Sequence, residues 1–190
     1  MERVMFYDIE TTGLPERNWH WSSDYDLFPY IVEIAWKTCQ RIHSYIINQE
    51  GRKIPSDVIK IHRITNEMCA ESPYTFRHIV PLFLHDAEQS ELIVGHNLYF
   101  DTSIFKANVI REFGKDSAEA KRAIAALDKS KRRDTLRMAM KMKMGFLGLP
   151  ALHSQLFGTG YEGHRAVNDL LAVERCYGEL LKRKGQTVEA

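Results

Sequence analysis

Residues 3–9 are an apolar run with β-branched and aromatic members; it carries Asp8, continues to Glu10, and is stopped by Thr11-Thr12-Gly13-Leu14-Pro15. Such a run reads as a buried strand that enters a turn at Gly13. Side chains alternate along a strand, so Asp8 and Glu10 leave it on the same face. Two anions held together repel unless a cation lies between them. Hard divalent metals such as Mg²⁺ prefer carboxylate oxygens and keep positions open for water and phosphate oxygens. Alone, the pair reads as two surface acids at a strand end. Other residues must join it before it is a site.

The rest of the chain supplies the frame. Its 190 residues suit one domain, and a domain of this size hides roughly 70% of its unfolded surface without disulfide staples. The expectation is a single domain over residues 1–185 with a short tail at 186–190. Strand signals recur at Tyr30 to Thr38 and Arg41 to Asn48, as in a hairpin, and at Glu91 to Gly95. Residues 15–29 read as a loop in which Trp19, Trp21 and Tyr25 either anchor the segment or offer stacking surfaces for bases.

Helical patterns fall at 65–70, 74–88, Tyr99 to Phe113, 117–128, Thr135 to Met144, Leu149 to Phe157 and Arg165 to Lys184. Pro81 is expected to kink or split the second of these. Gly158 to Gly163 reads as a flexible loop. Strands first, then strands and helices mixed, indicate one α/β domain.

Lys plus Arg number 26 against 25 Asp plus Glu, for a net charge of +1, which excludes a histone-like basic binder and an acidic tail protein. A local patch is still enough for nucleic acid. Residues 111–143 hold eleven Lys or Arg and five acids, a net +6 that either follows a phosphate backbone or forms a solvated helix face. Cys39, Cys69 and Cys176 are few and far apart, which argues against a disulfide framework and for a reducing compartment. Carboxylates come too early for a signal peptide. The longest apolar stretch, near Ile79 to Leu84, is too short to span a bilayer. A cytoplasmic protein is expected, with no membrane partner.

Two further segments carry acids. Asp101 follows the apolar strand Leu92-Ile93-Val94 at or near a helix start, where it either caps the helix or serves a site. Asp169 lies one turn into the long helix, and His164 is five residues earlier. On a helix those two would point about 140° apart, so they converge only if His164 sits on the loop before it.

Together, Asp8-x-Glu10, Asn97-x-x-x-Asp101 and His164-x-x-x-x-Asp169 resemble the three motifs of the DEDDh, or DnaQ-like, 3′→5′ exonucleases. Ile61-His62-Arg63-Ile64-Thr65 is similar to that family's His-x-Ile-Thr segment, and Asp134-Thr135-Leu136 to its Asp-Thr element. A sister subfamily carries Tyr four residues before the last Asp; here that position is Arg165, so the histidine branch is the better match. The resemblance spans residues 3–177 and implies an α/β, ribonuclease H-like fold: a mixed sheet of five strands flanked by helices.

It also implies a mechanism. Two divalent ions, Mg²⁺ or Mn²⁺, about 4 Å apart would serve phosphodiester hydrolysis, held by Asp8, Glu10, Asp101 and Asp169, with Asp8 bridging. His164 would act as the proton acceptor, a task suited to a group whose reference pKa is about 6.5. Thr11, Thr12 and Leu14 would lie at the 3′-terminal nucleotide, with backbone N–H groups reaching its hydroxyl and Leu14 wedging against the last bases. His62 and Asn97 would meet the phosphate or the scissile strand, although His62 equally reads as helix-end packing. Phe100, His96 and Asp134 read as structural.

The expected partner is the 3′ end of single-stranded nucleic acid, DNA slightly before RNA, with release of nucleoside 5′-monophosphates. An exoribonuclease or oligoribonuclease is the alternative, since these motifs do not sense a 2′-hydroxyl. A polymerase or a second copy of the chain is a candidate contact, while the short stretch after Lys184 favours a stand-alone trimming enzyme. Two rivals come from other classes. A phosphotransferase with Asp8 as nucleophile would need Asp at position 10 and a matching Lys element. A non-catalytic binding module on the same fold would usually have lost an acid, and here none is lost.

Overall fold

The computed structural model describes residues 2–39 and 41–185; the tail expected at 186–190 lies outside the described residues. The chain runs through β1 (Val4–Thr11), β2 (Ile31–Lys37), β3 (Ile42–Ile46), α1 (Ser56–His62), α2 (Asn66–Glu71), α3 (Phe76–Gln89), β4 (Leu92–Gly95), α4 (Leu98–Phe113), α5 (Ala118–Ala126), β5 (Arg132–Asp134), α6 (Thr135–Lys141), α7 (Leu149–Phe157) and α8 (Ala166–Arg183).

The strands form one sheet of five in the order β3-β2-β1-β4-β5. β1 pairs antiparallel with β2 and parallel with β4; β2 and β3 are antiparallel, and β4 and β5 parallel. The expected mixed sheet flanked by helices is the observed architecture.

The alternation of β1 divides the two faces. Met5, Tyr7 and Ile9 are buried with the side chains of α3, α4 and α5, whereas Val4 and Phe6 pack with those of α6, α7 and α8. Asp8 and Glu10 continue the second row, toward α8. A register shift between Glu10 and Thr11 ends the regular ladder immediately beyond them, and such bulges re-aim side chains at strand ends.

Several elements differ from expectation. α3 runs unbroken for 14 residues through Pro81. Pro81 lies on the solvent side of the helix, where water can satisfy the carbonyl deprived of its intrahelical donor. α1 is an additional helix of 7 residues, and β5 an additional strand of 3. Asp101 does not cap α4. Asn97 precedes that helix without a side-chain cap, and the Asp134 carboxylate accepts from the N–H groups of Asn97 and Leu98 at 3.0 and 3.1 Å.

The aromatic loop is anchored rather than free to stack on bases. Trp19, Trp21 and Tyr25 pack against the core, and Arg111 donates to the carbonyls of Tyr25 and Phe28. Asn108 donates to Pro29 O at 2.9 Å, fastening the same segment to α4.

At the centre of the larger core, the Phe83 ring meets Tyr7 at 5.2 Å, Trp36 at 5.5 Å and Phe105 at 4.3 Å between centroids. Phe83→Ala is expected to cost about 3–5 kcal/mol, read as a lower urea midpoint with an unchanged slope; a loss below about 1 kcal/mol would show that this ring is not central.

Candidate active site

The carboxyl ends of β1 and β4 and the first turns of α4 and α8 converge at one end of the sheet. β1 brings Asp8 and Glu10 there. Asp101 is buried on the first turn of α4, and Asp169 is buried on the first turn of α8. Ligand atoms of Glu10, His164 and Asp169 lie within 4.8 Å of one another. His164 precedes the helix, as convergence required. It adopts a left-handed backbone with φ 64°, and its side chain is exposed. A non-glycine residue in that region is strained unless its surroundings hold it.

Two groups hold it. The His164 N–H donates to Asp169 Oδ2 at 2.8 Å. The next residue, Arg165, makes a two-pronged ion pair with Glu33, at 2.7 and 3.1 Å, and the Ala166 N–H donates to the same carboxylate at 2.9 Å. Glu33 is 1% exposed and stands opposite Glu10 in the β1–β2 register. Like charges directly opposite repel; the Arg165 guanidinium offsets that repulsion, and the amino end of α8 adds partial positive charge.

The other oxygen of Asp169, Oδ1, accepts from the Tyr161 hydroxyl at 2.5 Å. Gly163 leaves room for this arrangement, since a Cβ there would sit 3.3 Å from Asp169 Oδ1. The loop expected to be flexible is thus tied in place, with Thr159 O held by the His153 ring at 2.9 Å as well.

The acids make each other hard to ionise. Burial, then the charges of Asp101, Asp169, Glu10 and Glu33, hold the Asp8 carboxyl well above the usual carboxylate range. Burial and the neighbouring Asp169 and Glu33 push Glu10 up to about 8, against the pull of Arg165. Asp101 is raised by burial and by Asp134, Glu10 and Asp169. Asp169 is raised by burial, although hydrogen bonds from Tyr161 and His164 work the other way. Mutually repelling oxygen donors with a nearby imidazole are a set that fits hard divalent cations.

The remaining expected site residues divide. Leu14 is 79% exposed on the turn after β1, free to meet a ligand. The Thr11 hydroxyl donates to Gly13 O at 2.7 Å, and the Thr12 hydroxyl accepts from the Tyr30 N–H at 2.9 Å, which is turn chemistry. The Thr12 N–H is committed to Tyr30 O at 2.9 Å, so it does not offer itself to a terminal hydroxyl.

His62 is buried at the end of α1. Its Nδ1 accepts from the Ile64 N–H at 3.0 Å, while Nε2 has no partner among the described residues. Asn97 is exposed with φ 57°. His96 joins Thr135 Oγ1 at 2.9 Å to Leu147 O at 3.0 Å, and Asp134 caps α4 and α6, so both are structural.

Sequence reasoning passed over Glu33 and Tyr161. Glu33 had a signal: one acid inside the buried strand Ile31 to Trp36 must have a partner. Tyr161, in a glycine-rich loop, had none.

Two outcomes are expected. Glu33→Ala should cost about 3 kcal/mol, because it strands Arg165 and the first N–H of α8; thermal melting within a degree of wild type would contradict this. Carboxyl values raised by folding mean that the native state holds extra protons between the ordinary value of 4.5 and about 8 for Glu10. The cation-free protein therefore loses stability as pH rises through that window. Mg²⁺ or Mn²⁺ should raise the melting temperature by several degrees near pH 8 and by little near about pH 5. Equal shifts at both pH values would speak against cation binding by these acids.

A family model described as "Exonuclease", RNase_T, matches residues 5–177. Among curated proteins, the chain is 29% identical over 143 residues to the DNA polymerase III subunit epsilon of Haemophilus influenzae, covering 75% of this chain and 52% of that protein. It is 32% identical over 101 residues to the subunit of the same name from Pasteurella multocida, covering 52% and 38%. The chain thus matches about half or less of these relatives' length. Among solved structures, Exonuclease X in complex with 5′ overhanging duplex DNA superposes with a TM-score of 0.61 at 22% identity, covering 98% of this chain and 95% of that one. E. coli Exonuclease I in complex with a dA16 oligonucleotide gives 0.69 at 15% identity, covering 96% and 41%. These structures share the fold.

Proposed function

The chain belongs to the DEDDh, DnaQ-like exonuclease family of ribonuclease H-like fold, and on that footing we propose that it removes nucleotides from the 3′ end of single-stranded nucleic acid, DNA in preference to RNA, releasing nucleoside 5′-monophosphates. The observation that carries this reading is the convergence of Glu10, Asp169 and an exposed His164 on one point, beside Asp8 and Asp101. All five groups are present together, which weighs against a non-catalytic module. A neighbour of the same fold was solved with dA16, which supports the preference for DNA.

In this reading Asp8, Glu10, Asp101 and Asp169 hold two divalent cations, Mg²⁺ or Mn²⁺. Such ions supply charge neutralisation at the phosphate and make water more acidic. His164, outside the helix and open to solvent, accepts the proton of the attacking water. Its strained backbone is held by Asp169 and by the Glu33–Arg165 pair, so the imidazole is presented rather than left to wander. Tyr161 orients Asp169 from behind. Leu14 wedges against the terminal base, with Thr12 and Asn97 forming the surrounding wall and the buried Thr11 and His62 supporting it.

No helix among the described residues is long and apolar enough to cross a membrane, and a cytoplasmic setting goes with this reading. Relatives named as polymerase III subunits support a polymerase as a partner.

Matched DNA and RNA oligonucleotides labelled at the 3′ or 5′ end test the proposal. With Mn²⁺ or Mg²⁺, the 3′ label should leave first as a mononucleotide and the 5′ label should shorten stepwise. Removing the base through His164→Ala should slow turnover about 10²–10⁴-fold, and Asp8→Ala should slow it at least as much. Wild-type turnover in both variants, or release from the 5′ end, would overturn the assignment.

A further inference from the structure

The basic stretch at 111–143 splits in the structure into cations bound away from any groove and cations that line one. Of the latter, Arg132 also donates to Thr102 Oγ1 at 3.0 Å and Arg133 to Ser130 O and Arg132 O at 3.3 and 3.1 Å. Arg111 holds the aromatic loop, Arg122 pairs with Glu88 at 2.6 Å, and Lys131 donates to Ser90 O at 3.2 Å. Lys129, Arg132, Arg133, Arg137 and Lys141 instead line a cleft of about 900 Å³ along the edge strand β5.

Among the described residues, no carboxylate lies within ion-pair distance of Lys129, Arg132, Arg133 or Lys141. Arg137 is 3.9 Å from Asp134 with its side chain 70% exposed. Asp134 itself is spent on the N–H groups of Asn97, Leu98 and Leu136. The cleft therefore keeps a concentrated positive charge in a protein whose net charge is only +1.

Its shape and position narrow the occupant. One end is formed by Leu98 and Tyr99 on the first turn of α4, immediately before Asp101. The other reaches Glu2 and Lys184, at the opposite ends of β1 and α8. Met138, Tyr177 and Leu181 give it apolar wall, and the Tyr99 ring at its mouth is 54% exposed. A groove that alternates cations with apolar and aromatic surface matches a strand of phosphates, sugars and unpaired bases.

Resting on the exonuclease reading, we propose that this cleft is the track for the single-stranded part of the substrate upstream of the 3′ end. A strand whose terminal phosphodiester lies at Asp101 continues past Tyr99 and along β5, with Lys129, Arg137 and Lys141 following its phosphates.

The test neutralises three exposed cleft cations, in Lys129→Gln/Arg137→Gln/Lys141→Gln, and compares a control triple elsewhere on the surface, Arg41→Gln/Lys53→Gln/Lys115→Gln. Binding of a fluorescent oligothymidylate of about 20 nucleotides is followed by anisotropy in EDTA across a salt series. The cleft variant should bind about tenfold more weakly and lower the slope of log affinity against log salt by about 2, at about 0.7 for each phosphate no longer neutralised. Its kcat/KM should fall on the long substrate and stay within about twofold on a dinucleotide too short to enter the cleft. Equal affinity and slope in wild type and the cleft variant, or an equal loss in the control triple, would overturn the track. An inactive wild type that still shows cleft-dependent binding would remove the exonuclease reading and leave the binding surface standing.

Discussion

Glu33, a carboxylate almost wholly withdrawn from water, ties the second strand to the start of the last helix through Arg165 and the Ala166 N–H. Burying a charge is costly unless it is paired and hydrogen-bonded, and here the pairing fixes where α8 begins. That starting point sets the place of His164 and Asp169 against Glu10, which stands beside Glu33 across β1 and β2. The candidate centre therefore depends on an ion pair in which none of the expected ligands takes part.

Much of this was legible. The strand ending in Asp8 and Glu10, the hairpin, β4, α4 and α8 each carry a strong apolar run or hydrophobic period, and each lies within a few residues of its expected bounds. The elements missed are those with little apolar content to read. β5 is Arg132-Arg133-Asp134, a strand only because β4 offers it a parallel partner. α1 is too short for its period to show. Pro81 misled because its effect depends on which side of α3 it occupies, and that is a tertiary fact.

The candidate site divides along the same line. Motif spacing identified its acids and His164, because those groups must converge for any of them to be useful. It did not identify the groups that position them, since the Tyr161–Asp169 bond and the Glu33 pair are contacts between segments with no local pattern in common. Around this centre the charge is sorted: acids at the strand ends, unpaired cations along the β5 edge. A nearly neutral chain thus presents two fields of opposite sign side by side.

The docking of α8 on β1, β2 and β4 has a bearing on how the molecule is made. On the ribosome, Asp8 and Glu10 emerge early, but Asp169, His164 and the arginine that quiets Glu33 follow only with the last helix. Until then a growing chain holds three of the four acids, which repel one another, without His164 beside them. The centre is therefore complete only once synthesis has passed the first turn of α8.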